Sequence, residues 1–155
     1  MQEFDPDLIE QFESWVADPE MDVVDKLWPN VRPSMAKRER ARRAALIGLA
    51  SSGDKAGQRG RCHVLMVGPP GTGKTELRDW VRYQIKNAQG VGPKSSEAGL
   101  KGDASGEDLT AGALAMAHGG VGCIEGLDKF AKSERGSLDG ALSEGRYEIN
   151  QADIR

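Results

Sequence analysis

The sequence predicts an α/β fold, a three-layer sandwich in which helices cover both faces of a mainly parallel sheet. Two short apolar runs, residues 63–67 and 121–124, have the length and composition of buried strands. A glycine-rich loop follows the first run directly, and residues 76–86 then place Leu77, Val81 and Ile85 at helical spacing. This order of strand, loop and helix predicts that the loop lies at the carboxyl end of its strand.

Three more helices are predicted before the first strand. Asp5 can cap the first and Pro6 fits its first turn; the second covers about residues 21–27 and the third residues 34–49. Another helix is predicted over residues 133–142 and half of a hairpin over residues 146–149. Residues 87–108 have no clear period and are predicted to form an extended insertion. We therefore divide the chain into an N-terminal helical linker, residues 1–33, and a core, residues 34–155.

The third predicted helix is basic, and two interpretations of its charge are open. The first is a phosphate-binding patch; the second is a solvated face whose long side chains lie along the surface. The second is favoured because the cations are distributed all around the helix: Lys37, Arg38, Arg40, Arg42 and Arg43.

Composition bounds the function classes. The chain has 155 residues, 38% of them apolar and 29% charged, which suits one compact domain with a solvated surface. The net charge of -3 gives no overall attraction to nucleic acid, so any DNA contact requires a local basic patch. Two cysteines, Cys62 and Cys123, cannot build a disulfide framework or a complete zinc site, and we interpret both as small apolar residues on buried strands.

The sequence also predicts where the protein is found. The N-terminus is acidic rather than basic, and no apolar run approaches the length of a bilayer span. We expect a protein that is not secreted and has no membrane partner. It would be cytoplasmic or nucleoid-associated, or nuclear in a eukaryote.

The loop between the first strand and its helix matches the P-loop pattern G-x-x-x-x-G-K-[ST] in full. Glycines allow backbone amides to approach a phosphate, and the helix that follows adds the positive end of its dipole. Lys74 supplies a charge between the β- and γ-phosphates, and the Thr75 hydroxyl can bind magnesium. The sequence therefore predicts an ATP and Mg²⁺ site formed by Gly68, Pro69, Pro70, Gly71, Thr72, Gly73, Lys74 and Thr75.

A P-loop site needs a second acidic residue for magnesium, and the candidates follow the second apolar run. Glu125 ends this run and is the predicted metal ligand, while Asp128 is a candidate catalytic acid. A catalytic carboxylate is expected directly after the magnesium acid, but the residue there is Gly126. The sequence thus predicts nucleotide binding more strongly than hydrolysis.

Several linked motifs together resemble the AAA+ module of the minichromosome maintenance (MCM) replicative helicases. Residues 63–75 are similar to the family's P-loop strand and loop, and residues 95–100 to the segment after its helix-2 insertion. The most specific match is Ala111-Gly112-Ala113-Leu114, then Gly119-Gly120-Val121, then residues 123–130. Residues 31–35, ending at Met35, are similar to the stretch near the adenine. The resemblance covers roughly residues 18–154.

The resemblance implies a partial AAA+ ATPase core that takes part in DNA replication, contacts DNA and joins other MCM-like subunits in a ring. It implies that residues 87–108 are the insertion lining the pore, with Lys94 and Lys101 as its cations. The family's aspartate–glutamate pair is Glu125–Gly126 here, and its DNA-contacting lysine is Gln151. We expect the sensor asparagine, the arginine finger and the lid helices of the C-terminal part to be missing.

Three functions stay open at this point. The chain could be an ATPase module of a ring helicase whose partner subunits supply the missing groups. It could be a non-catalytic nucleotide-binding subunit with a structural or regulatory role, or a truncated remnant that folds poorly alone. Loss of a positioned catalytic base typically costs ~10²–10⁴-fold in rate, so Gly126 predicts weak or no hydrolysis by this chain alone.

Overall fold

The computed structural model describes residues 5–51, 53, 57–93, 95–103 and 110–146. The chain divides into two compact units, Met1–Ala50 and Ser51–Arg155. Residues 147–150, which include most of the predicted half-hairpin, lie outside the described residues, as do Lys94 and Gln151. The boundary after residue 33 stays a prediction.

The first unit is helical, and Asp5 caps its first helix as expected from the sequence. Helix α1 spans Pro6–Ala17, and the Asp5 carboxylate accepts a hydrogen bond from the Asp7 amide at 3.1 Å. Helix α2 spans Val23–Leu27, a 3₁₀ turn follows over Trp28–Asn30, and helix α3 spans Glu39–Ala50. The predicted start of α3 at residue 34 is wrong, because Lys37 and Arg38 have φ of 62° and 64° and turn the chain before the helix begins.

The basic helix α3 is held to its own unit by Arg42. This side chain is only 7% exposed, and its guanidinium donates to the carbonyls of Val31 (2.6 Å) and Pro29 (2.7 Å). It also lies 4.7 Å from the centroid of the Trp28 ring. Both interpretations of the basic helix are therefore wrong for Arg42, which cross-links α3 to the preceding turn.

The second unit contains the sheet structure. Strand β1 (Ala88–Val91) pairs in parallel with β4 (Val121–Ile124), with Ala88 opposite Val121. Strands β2 (Gly102–Asp103) and β3 (Thr110–Ala111) form a separate antiparallel pair. The helices of this unit are α4 (Lys74–Gln84), α5 (Glu97–Lys101), α6 (Ala113–Met116) and α7 (Lys132–Ser143), with a 3₁₀ turn at Leu127–Lys129.

The core of the second unit lies between β1 and the helices that follow it. Val91, Leu100, Phe130 and Leu138 are each no more than 2% exposed and form one apolar cluster. Leu77 and Val81 are buried on one face of α4. The helices and the parallel β1–β4 pair confirm an α/β fold, while the three-layer arrangement stays a prediction.

The predicted strand at residues 63–67 is wrong. This segment belongs to neither sheet of the described residues, and Val64, Leu65 and Val67 are 39%, 74% and 86% exposed. Side chains hold its beginning instead: the His63 ring lies 3.1 Å from the Leu142 carbonyl, and Arg59 donates to the same oxygen. An apolar composition favours a strand, but only hydrogen bonds to a neighbouring strand make one.

The prediction of an extended insertion over residues 87–108 is also wrong for the residues of this range that the structure describes. Residues 88–91 form β1 and residues 97–101 form α5, capped by Ser96. Ala-Gln-Gly-Val is a weak strand pattern, so pairing with β4 decides its conformation. Cys123 is buried on β4 as predicted, whereas Cys62 is exposed.

Candidate nucleotide-binding site

The glycine-rich loop adopts the backbone that its sequence requires. Gly71 and Gly73 have φ of 73° and 85°, in the left-handed region that costs other residues roughly 1–2 kcal/mol each. The Thr72 hydroxyl donates to the Pro69 carbonyl at 2.9 Å and closes the loop. The loop conformation therefore depends on glycine at two positions, and the hydrogen bond from Thr72 to Pro69 helps to close it.

The Lys74 ammonium lies against this loop. Its Nζ donates to the carbonyls of Gly68 and Pro69, both at 2.7 Å, and to the Thr72 hydroxyl at 3.2 Å. An ammonium has three protons, so these three acceptors use its donors completely. A ligand that binds Lys74 must replace at least one of them.

Helix α4 begins at Lys74, with Gly73 as its N-cap residue. Glycine has no side chain that could accept from the first-turn amides, so these donors face the loop without a side-chain cap. The buried Leu77 and Val81 fix the helix on the second unit. The helix N-terminus and the lysine thus lie at the same end of the loop, an arrangement suited to an anion.

The predicted magnesium acid lies at the end of β4. The Glu125 amide donates to the Val91 carbonyl at 2.8 Å, which extends the β1–β4 ladder by one residue. Its carboxylate forms an ion pair with Arg78 on α4. Arg78 also donates through Nε (2.9 Å) and Nη2 (2.7 Å) to Asp79.

Burial by itself would lower the pKa of Arg78, whose side chain is only 16% exposed. The hydrogen bonds and charges of Asp79 and Glu125 outweigh this effect and raise the pKa above its usual value. Arg78 is therefore a permanent positive charge beside the predicted metal ligand. Sequence patterns did not indicate this residue, because it lies far from its partner Glu125 in the sequence.

Gly126 has a left-handed backbone, with φ of 64° and ψ of 45°. It is the N-cap residue of the 3₁₀ turn that carries Asp128, whose side chain is exposed. Among the described residues, no side-chain hydrogen bond or ion pair joins Thr75 or Asp128 to Lys74 or Glu125. The structure therefore brings Lys74 to the loop and Arg78 to Glu125, but it assigns no contact to Asp128.

A cavity of about 160 Å³ lies where α4 faces the ends of β1 and β4. Arg78, Arg82, Cys123 and Glu125 are among the residues that line it. Burial raises the pKa of the Cys123 thiol, although the nearby Arg82 and Arg78 oppose this effect. The thiol is thus a neutral group beside the charged side chains of this wall.

Met35, predicted near the adenine, is 6% exposed within the first unit. Over the described residues, no group of three or more His, Cys, Asp or Glu side chains could hold a metal ion. In the same part of the chain, no helix has the length and apolar character needed to cross a membrane.

A glycine-rich loop that leads into a helix beside a parallel strand pair defines a P-loop domain of the α/β class. The family model described as the MCM P-loop domain matches residues 9–155. The chain therefore belongs to the MCM family, as its sequence motifs predicted.

Individual relatives agree with this assignment. The chain is 28% identical over 146 residues to the maternal DNA replication licensing factor mcm3 of Xenopus laevis, covering 86% of this chain and 18% of the relative. It is 32% identical over 163 residues to the DNA replication licensing factor MCM5 of Arabidopsis thaliana (97% and 22%). It is 33% identical over 116 residues to the probable DNA helicase MCM9 of Oryza sativa subsp. indica (70% and 17%). The chain spans about a fifth of the length of these relatives.

Proposed function

We propose that this chain is an ATP- and Mg²⁺-binding module of an MCM-type DNA helicase, with weak or no hydrolysis on its own. The observation that carries the proposal is the P-loop backbone, with left-handed Gly71 and Gly73 leading directly into α4. This backbone turns at two glycines, and Lys74 and a helix N-terminus lie at the same end of the loop, which suits an anion.

The contacts of Lys74 support phosphate binding. Its ammonium now interacts with two neutral carbonyls and one hydroxyl. An anionic phosphate attracts an ammonium more strongly than a neutral carbonyl does. We therefore expect Lys74 to exchange the carbonyls of Gly68 and Pro69 for phosphate oxygens when nucleotide binds.

The donor set fits magnesium in part: the Thr75 hydroxyl is a suitable ligand, whereas Glu125 would serve the metal only on giving up its ion pair with Arg78. A threonine hydroxyl at Thr75 and a carboxylate at Glu125 are hard oxygen ligands, and Mg²⁺ commonly keeps several waters beside one or two such groups. The metal supplies charge neutralisation at the β- and γ-phosphates. The chain's own contribution is to hold Glu125 at the end of β4, where its backbone amide donates a hydrogen bond to the Val91 carbonyl.

Hydrolysis is expected to be weak because of Gly126. In the family resemblance this position belongs to the catalytic glutamate, and glycine has no group to orient water. Asp128 is the candidate substitute, but its exposed side chain has no described contact with the loop or with Glu125. The lack of a side chain at Gly126 and of a described contact from Asp128 favours a non-catalytic subunit over an autonomous motor.

The wider role rests on family membership. The relatives are named as DNA replication licensing factors or as a probable DNA helicase. From these names we infer that DNA is a partner of this chain and that the chain assembles with other MCM-like subunits in a ring. We also infer that it is located with chromosomal DNA.

Thermal unfolding with and without ATP and Mg²⁺ tests the proposal. A ligand at 100 times its dissociation constant stabilises a fold by ~2.7 kcal/mol. We expect an upward shift of Tm for the wild-type chain and none for Lys74→Ala. Lys86→Ala is the matched control, because Lys86 is an exposed lysine just beyond α4, and it should keep the full shift.

Each outcome has a distinct meaning. A cooperative transition that ATP does not shift would contradict nucleotide binding. The absence of a cooperative transition would favour the truncated remnant. Phosphate release at a rate ordinary for P-loop ATPases, abolished by Lys74→Ala, would contradict the proposal of weak hydrolysis.

A further inference from the structure

Arg78 occupies a special position relative to the predicted site. It lies on α4 four residues after Lys74, so both side chains project from the same face of the helix. Its guanidinium forms an ion pair with Glu125, the carboxylate predicted to serve the metal. A cation of the protein is therefore already present at the predicted metal ligand.

The side chain of Arg78 is held in place for its ion pair with Glu125. Arg78 is 16% exposed, whereas Glu125 is 54% exposed, so the arginine is the more buried partner. The Asp79 carboxylate accepts hydrogen bonds from Nε and Nη2 of Arg78. The remaining nitrogen, Nη1, forms the ion pair with Glu125. Asp79 thus orients the guanidinium plane from the same helix and leaves one edge for the carboxylate.

A divalent cation at Glu125 would meet this guanidinium at close range. Like charges repel strongly over such distances when one of the groups is largely shielded from water. To serve as a metal ligand, Glu125 must give up or weaken its pairing with Arg78. Mg²⁺ and Arg78 are therefore competitors for one carboxylate.

We propose that Arg78 is the built-in counter-cation of Glu125, so that this chain binds ATP with little dependence on Mg²⁺. The inference rests on the proposed nucleotide site. It adds that the protein, rather than the metal, neutralises Glu125 beside the triphosphate. Arg78 acts through Glu125 and is a positioning residue.

The test is the affinity for a fluorescent ATP analogue in excess Mg²⁺ and in EDTA, expressed as the ratio of the two dissociation constants. For the wild-type chain we expect EDTA to weaken binding by less than about threefold. In Arg78→Gln, the bare Glu125 carboxylate repels metal-free ATP and attracts Mg²⁺, so the ratio should rise to about tenfold or more.

Two further variants isolate the pair. Arg82→Gln removes another arginine of α4 that lines the same cavity, and it should keep the wild-type ratio. The double variant Arg78→Gln with Glu125→Gln should return the ratio to below about threefold, because no carboxylate remains for the metal.

Glu125→Gln alone provides a test that does not depend on folding of the arginine variant, because Glu125 is exposed. If Glu125 does not ligate metal in the wild type, this change should alter affinity in Mg²⁺ by less than about threefold. A loss above about tenfold that occurs only in Mg²⁺ would overturn the inference.

Failure of the inference and failure of the proposed function give different results. Tight binding that is strongly Mg²⁺-dependent in both wild type and Arg78→Gln contradicts the role of Arg78 and leaves nucleotide binding intact. No binding by any variant in either buffer contradicts the proposed function, and the inference with it.

Discussion

The Nε of Arg42 donates to the Val31 carbonyl across 2.6 Å, and this bond ties helix α3 to the turn that precedes it. A second bond to Pro29 and the face of Trp28 complete the surroundings of the guanidinium. A residue that looks like part of a surface charge patch is thus a structural cross-link. Its removal gives the first prediction.

Arg42→Ala should destabilise the chain by about 2–4 kcal/mol, because two hydrogen bonds to a charged donor and a cation–π contact are lost. Arg40→Ala is the matched control on the same helix; Arg40 is exposed, so the change should stay within roughly 0.5 kcal/mol. Denaturant unfolding measures both. Equal effects of the two variants would show that Arg42 has no special role.

Adding a side chain at residue 126 should lower the free energy of unfolding. Gly126 has a φ of 64°, so Gly126→Ala and Gly126→Glu should each lose roughly 1–2 kcal/mol of stability. Available space is not the obstacle, because the nearest atom to a Cβ at this position would be 3.5 Å away. Strain in the backbone is therefore the expected cause.

Gly122→Ala is the control for that measurement. Gly122 lies in β4, and a Cβ there would meet no atom within 4 Å. The change should be neutral or stabilising by a few tenths of a kcal/mol, because alanine restricts the unfolded chain. If Gly126→Ala proved as neutral as Gly122→Ala, residue 126 would not be strained.

The two cysteines should differ in reactivity. The thiolate is the reactive form, and burial raises the pKa of Cys123, so this thiol stays protonated at neutral pH. Cys62 is exposed and should react first with a thiol reagent, as mass spectrometry of the labelled chain would reveal. Faster labelling of Cys123 than of Cys62 in the folded chain would contradict the burial.

The raised pKa of Cys123 also makes the stability of the chain depend on pH. Because the folded pKa of Cys123 is raised, its contribution to stability is complete below the unfolded thiol pKa of about 8.5 and is lost as pH rises through the folded value. Denaturant unfolding should therefore show a decline at alkaline pH. Cys123→Ala should reduce that decline, while Cys62→Ala should leave it unchanged.

The exposed segment at residues 63–67 gives the last prediction. Leu65 is 74% exposed, so Leu65→Lys should change the unfolding free energy by less than about 0.5 kcal/mol. The added charge should reduce self-association, measured by light scattering, because unpaired apolar segments are sites of aggregation. Leu77→Ala, at a side chain 1% exposed, should instead cost about 2–5 kcal/mol.

Local patterns predicted much of the fold. The cap at Asp5, the helix after the P-loop, the strand Val121–Ile124 and the helix that became α7 are confirmed within a few residues. Each depends on interactions between residues close in the chain, or on an apolar run long enough to be buried. The family assignment was equally accessible, because the order of several motifs is a property of the sequence alone.

The sequence by itself determined the glycine-rich loop that is proposed to hold a phosphate, since Gly71, Gly73 and Lys74 act through local backbone geometry and one nearby side chain. Only the tertiary structure decided which segments pair and which charges meet. It paired Ala88–Val91 with β4, left residues 63–67 outside both sheets, and brought Arg78 to Glu125. Strand pairing and ion pairing join residues that are distant in the chain, and no local pattern contains the position of the partner.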